Sequence, residues 1–227
     1  MNMNRVLRCG PWLAGSLALL LSFGVPVAAA EIDFTVDDVI EIAPPPSVEA
    51  GALEDSGTAF VFLEQEAVLL SSDLFVDAIN PGAEVGGSTN TAVAGSIPAG
   101  TPVDSFLVHF DPVGEPTDLN VTVAWSVVFR STDRILGLIY SDALLDASDF
   151  LGAPGTIYPT GEAFRGTTGN LEGNDGFIWS QFFVVGGLQS VTVSVDHFRI
   201  IVAVPEPTGL AIAASALLAC MARRRRR

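Results

Sequence analysis

By residue type, the two histidines of this 227-residue chain, His109 and His197, are best suited to acid–base or metal chemistry. Neither stands in a pattern that such chemistry uses. There is no H-E-x-x-H run and no pair at i and i+4, and the two cysteines, Cys9 and Cys220, lie near the chain's ends, so a zinc site is not expected. The chain contains no lysine to act as an amine nucleophile and no G-x-S-x-G elbow to present a serine. Both histidines sit in strand-like runs and read as structural. The 26 Asp and Glu residues supply carboxylates in quantity, but a glycosidase needs two of them at a set separation, and the spacing singles out no pair. No catalytic residue is assigned, and the expectation is a protein that is not an enzyme.

Two other groups are candidates for ligands. Asn170-Leu171-Glu172-Gly173-Asn174-Asp175-Gly176 alternates oxygen ligands with glycine like a calcium loop, yet Asp175 stands where an EF-hand loop needs glycine and the twelfth position carries no Glu. A polar hairpin turn is the preferred reading there, with calcium as the minor alternative and no other cofactor. Among aromatics that stack on sugars, Tyr140 and Trp179 fall in strands and read as core. Tyr158, beside Pro159 in a Gly-rich loop, is the exposed candidate for ligand contact. Asn120-Val121-Thr122 matches a glycosylation acceptor by accident of composition.

Strands must position these residues. Phe60-Val61-Phe62-Leu63 is apolar on both faces, with a bend expected at Gln65 and its acidic neighbours. In Phe106 to Phe110, Phe106, Val108 and Phe110 share one face and Leu107 and His109 the other, the period of a half-buried strand. Val121 to Arg130 alternates most clearly and assigns Trp125 to the core; Ile135 to Tyr140 follows. Ser141 to Ser148 suits one or two helical turns capped by Ser141 or Asp142. Phe177 to Val185 and Leu188 to Val195 read as a hairpin turning at Gly186-Gly187, and the alternation slips near Asp196-His197 as a β-bulge would make it. Glu31 to Asp55, broken by Pro44-Pro45-Pro46, is an extended lead-in with little core and one strand between Asp33 and Ile42. Gly86 to Gly100 and Gly152 to Gly176 are loops. Short strands, many Gly and Pro turns and no long amphipathic helix indicate an all-β fold, an antiparallel β-sandwich or jelly roll.

The chain divides into three parts. Arg5 and Arg8, an apolar run from Trp12 to Phe23, and Ala28-Ala29-Ala30 have the order of a secretory signal peptide over residues 1–30, with Ala28 and Ala30 as the small residues of the cleavage site. Residues 31–203 are expected to form one exported domain that holds together without disulfides. From Glu31 to Val204, 25 Asp and Glu stand against four arginines (Arg130, Arg134, Arg165 and Arg199), leaving −21. Such a surface repels phosphate backbones, so nucleic acid is not a partner.

Residues 204–227 combine an extended Val204-Pro205-Glu206-Pro207, an uncharged Ala- and Leu-rich run from Gly209 to Ala222, and Arg223, Arg224, Arg225, Arg226 and Arg227. The prolines keep the first part out of strand and helix. The apolar run is about 21 Å long as a helix, short for a bilayer core of about 30 Å, and the arginines keep the end on the cytoplasmic side. Pro205, Glu206 and Pro207 before a short apolar helix and an Arg cluster resemble the PEP-CTERM sorting signal of exosortase-processed bacterial exoproteins. The runs SFLVHFDPVG (105–114) and RILGLIYSDALLDASDFLGAPGTIYPTG (134–161) resemble exported domains found ahead of such signals. The resemblance implies an exosortase as processing partner, transient insertion in the inner membrane, and a final place at the cell surface or outside it. A non-catalytic envelope or matrix role, associated with exopolysaccharide and biofilm, is the leading expectation. A carbohydrate-binding module for exopolysaccharide is the alternative, and a secreted hydrolase is third.

Overall fold

The computed structural model describes residues 32–34, 39–85, 89–114, 123–163, 165–167, 176–190 and 195–204. The strands are β1 (Ile32–Phe34), β2 (Val39–Glu41), β3 (Ala59–Leu69), β4 (Leu74–Val76), β5 (Gly82–Val85), β6 (Thr89–Asn90), β7 (Gly95–Ile97), β8 (Pro102–Phe110), β9 (Val123–Ser131), β10 (Ile135–Ile139), β11 (Gly176–Trp179), β12 (Phe183–Ser190) and β13 (Asp196–Ala203). One short helix, α1 (Asp142–Ala147), and a 3-10 turn at Asp149–Leu151 complete the described elements. The fold is all-β in class, as the alternation predicts. A five-stranded sheet runs β10-β13-β8-β3-β2, a six-stranded sheet runs β1-β9-β12-β11-β5-β6, and β4 pairs with β7. Every named pairing is antiparallel except β2 with β3.

The alternation in β8 and β13 sorts side chains as the period requires. Phe106, Val108 and Phe110 join Phe198, Ile200 and Val202 in one buried apolar cluster, which also takes in Phe129 of β9 and Val184 of β12. Phe106 and Phe129 meet edge to face at 5.6 Å between ring centres, so the two large sheets share this core. The opposite face of the five-stranded sheet is also covered. Phe62, Leu107, Val48 and Ala153 form one patch there, and Val103, Ile139, Ile201, Leu145 and Leu151 belong to another. The strand β8 is therefore buried on both faces, not half-buried, because residues 140–167 fold back over it.

Several local expectations are corrected. The strand β3 does not bend away at Gln65 but continues to Leu69. Its register shifts between Leu63 and Gln65 and again before Val68, with Ala67 at a φ of 52°. Gly186 and Gly187 lie inside β12, paired with Val127 and Ser126 on one side and with Phe177 and Gly176 on the other. The turn falls instead at residues 180–182, where the carbonyls of Gln181 and Phe182 accept from the amides of Ile135 and Ser131. A Gly-Gly pair permits a hairpin turn without requiring one, and two flanking strands supply its backbone partners here. The ladder of β13 on β8 runs from Asp196 to Ala203 without a register shift, so the slip in alternation marks the start of a strand and not a bulge. The lead-in also contributes core, because Val48 is fully buried. The stretch Gly86 to Gly100 carries β6 and β7. Ser141 is the N-cap of α1, but its hydroxyl accepts from no helix amide and instead donates to Asp77 (2.7 Å).

The side chains of Trp125 and Trp179, the loop 170–175, Asn120, the leader 1–30 and the tail from Pro205 onward lie outside the described residues. Among the described residues no helix is long and apolar enough to cross a membrane.

Candidate functional site

Charged side chains are buried where the five-stranded sheet meets residues 140–167. The period of β13 places His197, Arg199 and Ile201 on that face, β8 adds Ser105 and His109, and the shifted register of β3 turns Glu64 inward. Glu64 binds Arg199 through two bonds, from Nε at 2.6 Å and Nη2 at 2.8 Å, and Ser105 donates to the same carboxylate at 2.6 Å. Neither member of this ion pair is exposed. Other donors of Arg199 reach the carbonyl of Leu145 and the hydroxyl of Ser148, which tie the end of α1 to the sheet, and Nη2 also reaches Asp149 at 3.4 Å.

Arg165 makes the second set of ties. It grips Asp149 with two bonds, at 2.7 and 2.8 Å, and Asp146 with a third at 2.8 Å. Thr160 donates to Asp149 and the Gly161 amide to Asp146. Burial alone pushes the Asp149 carboxyl up, but the bonds from Arg165 and Thr160 and the two nearby guanidinium charges outweigh it and hold the group below its ordinary range. The backbone on either side of Arg165 is fastened as well. His197 donates its amide to the Arg165 carbonyl, and Thr167 donates to the Tyr140 carbonyl. A Cβ on Gly166 would stand 2.1 Å from the Tyr140 oxygen, so only glycine fits between these strands.

The two histidines, 88 positions apart in sequence, share a hydrogen bond: His109 Nδ1 lies 2.7 Å from His197 Nε2. Arg165 fixes their protons. Its Nε can only donate, so His197 Nδ1, at 3.2 Å, must accept. The proton of His197 is then on Nε2 and is given to His109 Nδ1. That leaves the proton of His109 on Nε2, where the Leu53 backbone is its polar neighbour outside standard hydrogen-bond geometry. Adding a proton to either ring would set donor against donor. Burial therefore lowers His109 to about 4, the Leu53 backbone opposing weakly. It holds His197 well below the usual histidine range, helped by His109 and by the charges of Arg165 and Arg199.

Tyr158 does not stand out of its loop as a stacking platform. Its ring lies against the Phe62 patch and beneath both guanidiniums, at 5.7 Å from Arg165 and 5.8 Å from Arg199. Its hydroxyl accepts from the Ala153 amide at 2.8 Å, and the close approach of the ring to Gly152 leaves no room there for a Cβ. Burial, with the Glu64 carboxylate nearby, pushes the phenol well above its ordinary value.

Chemically this cluster consumes its own groups. Each guanidinium is spent on carboxylates, and the histidines are spent on each other and on Arg165. Sequence reasoning places both histidines in strands but misses their contact, and it assigns nothing to Arg165, Arg199 or Glu64. One signal was legible, since a lone Arg amid the apolar run Phe198 to Val202 must be buried with a partner.

A separate cleft of about 350 Å³ opens beside β7 and β10, walled mainly by apolar side chains including Ile79, Ile97 and Leu136, with Arg134 among its lining residues. Among the described residues no group of three or more His, Cys, Asp or Glu could hold a metal ion. No protein-family model, curated protein or solved structure matches this chain.

Proposed function

We propose that the chain is an exported envelope or extracellular-matrix protein of bacterial type, whose residues 31–203 form a non-catalytic β-sandwich and whose tail is a PEP-CTERM signal cut by an exosortase. The sandwich reading is supported by the core that β8 and β13 share with Phe129 and Val184 of the six-stranded sheet. The observation that carries the sorting reading is the order of the C-terminal residues: two prolines around Glu206, fourteen uncharged residues, then five arginines. The β13 ladder is held up to the residue before Pro205, where the Val204 amide donates to the Pro102 carbonyl. A buried network that uses its charges to pin residues 140–167 onto the sheet is what a passive exported domain without disulfides needs in order to persist outside the cell.

Intact-mass analysis of the extracellular protein, made in a host that has an exosortase, tests the reading. The mature species is expected to lack Arg223 to Arg227 and most or all of Gly209 to Ala222, and Glu206→Ala is expected to accumulate as an unprocessed membrane-associated form. A mature species that keeps all five terminal arginines defeats the sorting reading.

A further inference from the structure

The cleft beside β7 and β10 lies next to the end of β13. Ala203 donates its amide to the Arg134 carbonyl at 2.8 Å, and Val204 donates to Pro102 at 3.4 Å. Thr101, the neighbour of Pro102, lines the cleft together with Arg134. Of the arginines whose side chains are described, Arg165 and Arg199 are spent inside the protein, whereas Arg134 is exposed and has no ion pair among the described residues. A cation left unpaired in a region carrying −21 marks this cleft for a carboxylate.

Beyond Asp133 and Asp104, the chain carries a further carboxylate close in sequence to the end of β13. Glu206 is two residues past Val204, within about 7 Å of it even at full extension. The segment around it also suits the walls. Two proline rings complement Ile79, Ile97 and Leu136, and Asn80 and Ser96 offer donors to a stretch that carries three carbonyls but a single amide. Prolines already hold such a segment extended, so little conformational entropy is lost on docking. We propose that this cleft docks the chain's own Pro205-Glu206-Pro207 segment, with the Glu206 carboxylate on the Arg134 guanidinium. Docking does not depend on what the tail is for. Its consequence, that a docked Glu206 is withheld from a processing enzyme, rests on the sorting reading.

Cross-linking tests the docking in the full chain, with Cys9 and Cys220 changed to serine, made in a host that lacks an exosortase. Thr208→Cys leaves the Pro-Glu-Pro segment intact and is paired in turn with Ser96→Cys and Asn80→Cys; disulfide formation under mild oxidation is followed by intact mass after alkylation. At least one pair is expected to close, at least fivefold faster than when Arg134→Glu is added. The exchanged pair Arg134→Glu with Glu206→Arg is expected to restore the rate to within about twofold. Arg134 is exposed, and an unchanged β-type circular dichroism spectrum checks that each variant is folded. Failure of both pairs to close, or closure indifferent to the sign at position 134, overturns the docking. In a host that has an exosortase, Arg134→Glu is expected to shorten the life of the uncut precursor several-fold. A tail never cut while the cross-link keeps its charge dependence removes the sorting reading and leaves the docking standing.

Discussion

The two faces of the five-stranded sheet are built from the same strands, one residue out of phase, yet they solve burial differently. One face sets Phe106, Val108, Phe198 and Ile200 against the other large sheet, with the buried carboxylates Asp104 and Asp196 in phase with them and, among the described residues, no buried cation. The other buries Glu64, His109, His197 and Arg199 under residues 140–167. An apolar interface holds its partner by area alone and tolerates small shifts. A buried ion pair is costly to desolvate and is satisfied in one arrangement, so it adds little net stability while specifying where the covering segment sits. The comparison indicates that residues 140–167 are placed by the charges and kept there by the apolar patches on either side.

The largest effect that separates the faces is expected from Glu64→Gln, which leaves the buried Arg199 with only the longer contact to Asp149, at 3.4 Å, to balance its charge. Denaturant unfolding should show a loss of about 3–5 kcal/mol. The double variant Glu64→Leu with Arg199→Met should recover most of it, because the buried pair is then removed whole and neither partner is left unmatched. A double variant as unstable as the single would mean that the network contributes net stability and not only position.

Acid should also distinguish the faces. Below about pH 6.5 the unfolded chain gains protons on His109 and His197 that the folded chain refuses, so stability falls with falling pH, by up to about 3 kcal/mol for His109 by pH 4. Asp111 acts in the opposite direction. Burial, opposed by the bond from the Gly51 amide and aided by Glu54 and Glu162, raises its carboxyl to about 6, so the folded chain holds that proton first. Between pH 6 and 4 the net loss is one proton, about 1.4 kcal/mol per pH unit. Asp111→Asn should roughly double that slope. Unfolding titrated from pH 7.5 to 4.5 measures both, and a flat profile would show that the histidines are not held neutral.

The smallest contrast is between Tyr158→Phe and Ile200→Val. Removing the hydroxyl leaves the Ala153 amide without its acceptor and should cost about 1–2 kcal/mol. The methylene lost from the apolar core should cost about 1 kcal/mol. Only the tyrosine change should also disturb the charged face, because the hydroxyl it removes lies beside the Glu64 carboxylate.

Much of this was legible in the residues themselves. Alternation in Phe106 to Phe110 and in Phe198 to Val202 specifies strands and the face that is apolar, since the strand period is a property of the local backbone. The helical turn after Ser141 was equally local. The turn at Gly186-Gly187 was misplaced because glycine permits many conformations, and the choice among them falls to the neighbouring strands. Burial of the second face was illegible for a related reason: it depends on a segment 30 to 60 positions later folding back.

What the sequence determined by itself is therefore the local and the linear: strand periodicity, the acidic balance, the absence of cysteine from residues 31–203, and the order of the two terminal segments. Those properties depend on neighbouring residues or on composition alone. Tertiary structure decided the pairings of Glu64 with Arg199 across 135 positions and of His109 with His197 across 88. It also placed the Arg134 cleft beside the end of β13. The physical reason is that a charge reveals its type in sequence but not its partner, and a partner is chosen by which strands the whole chain brings side by side.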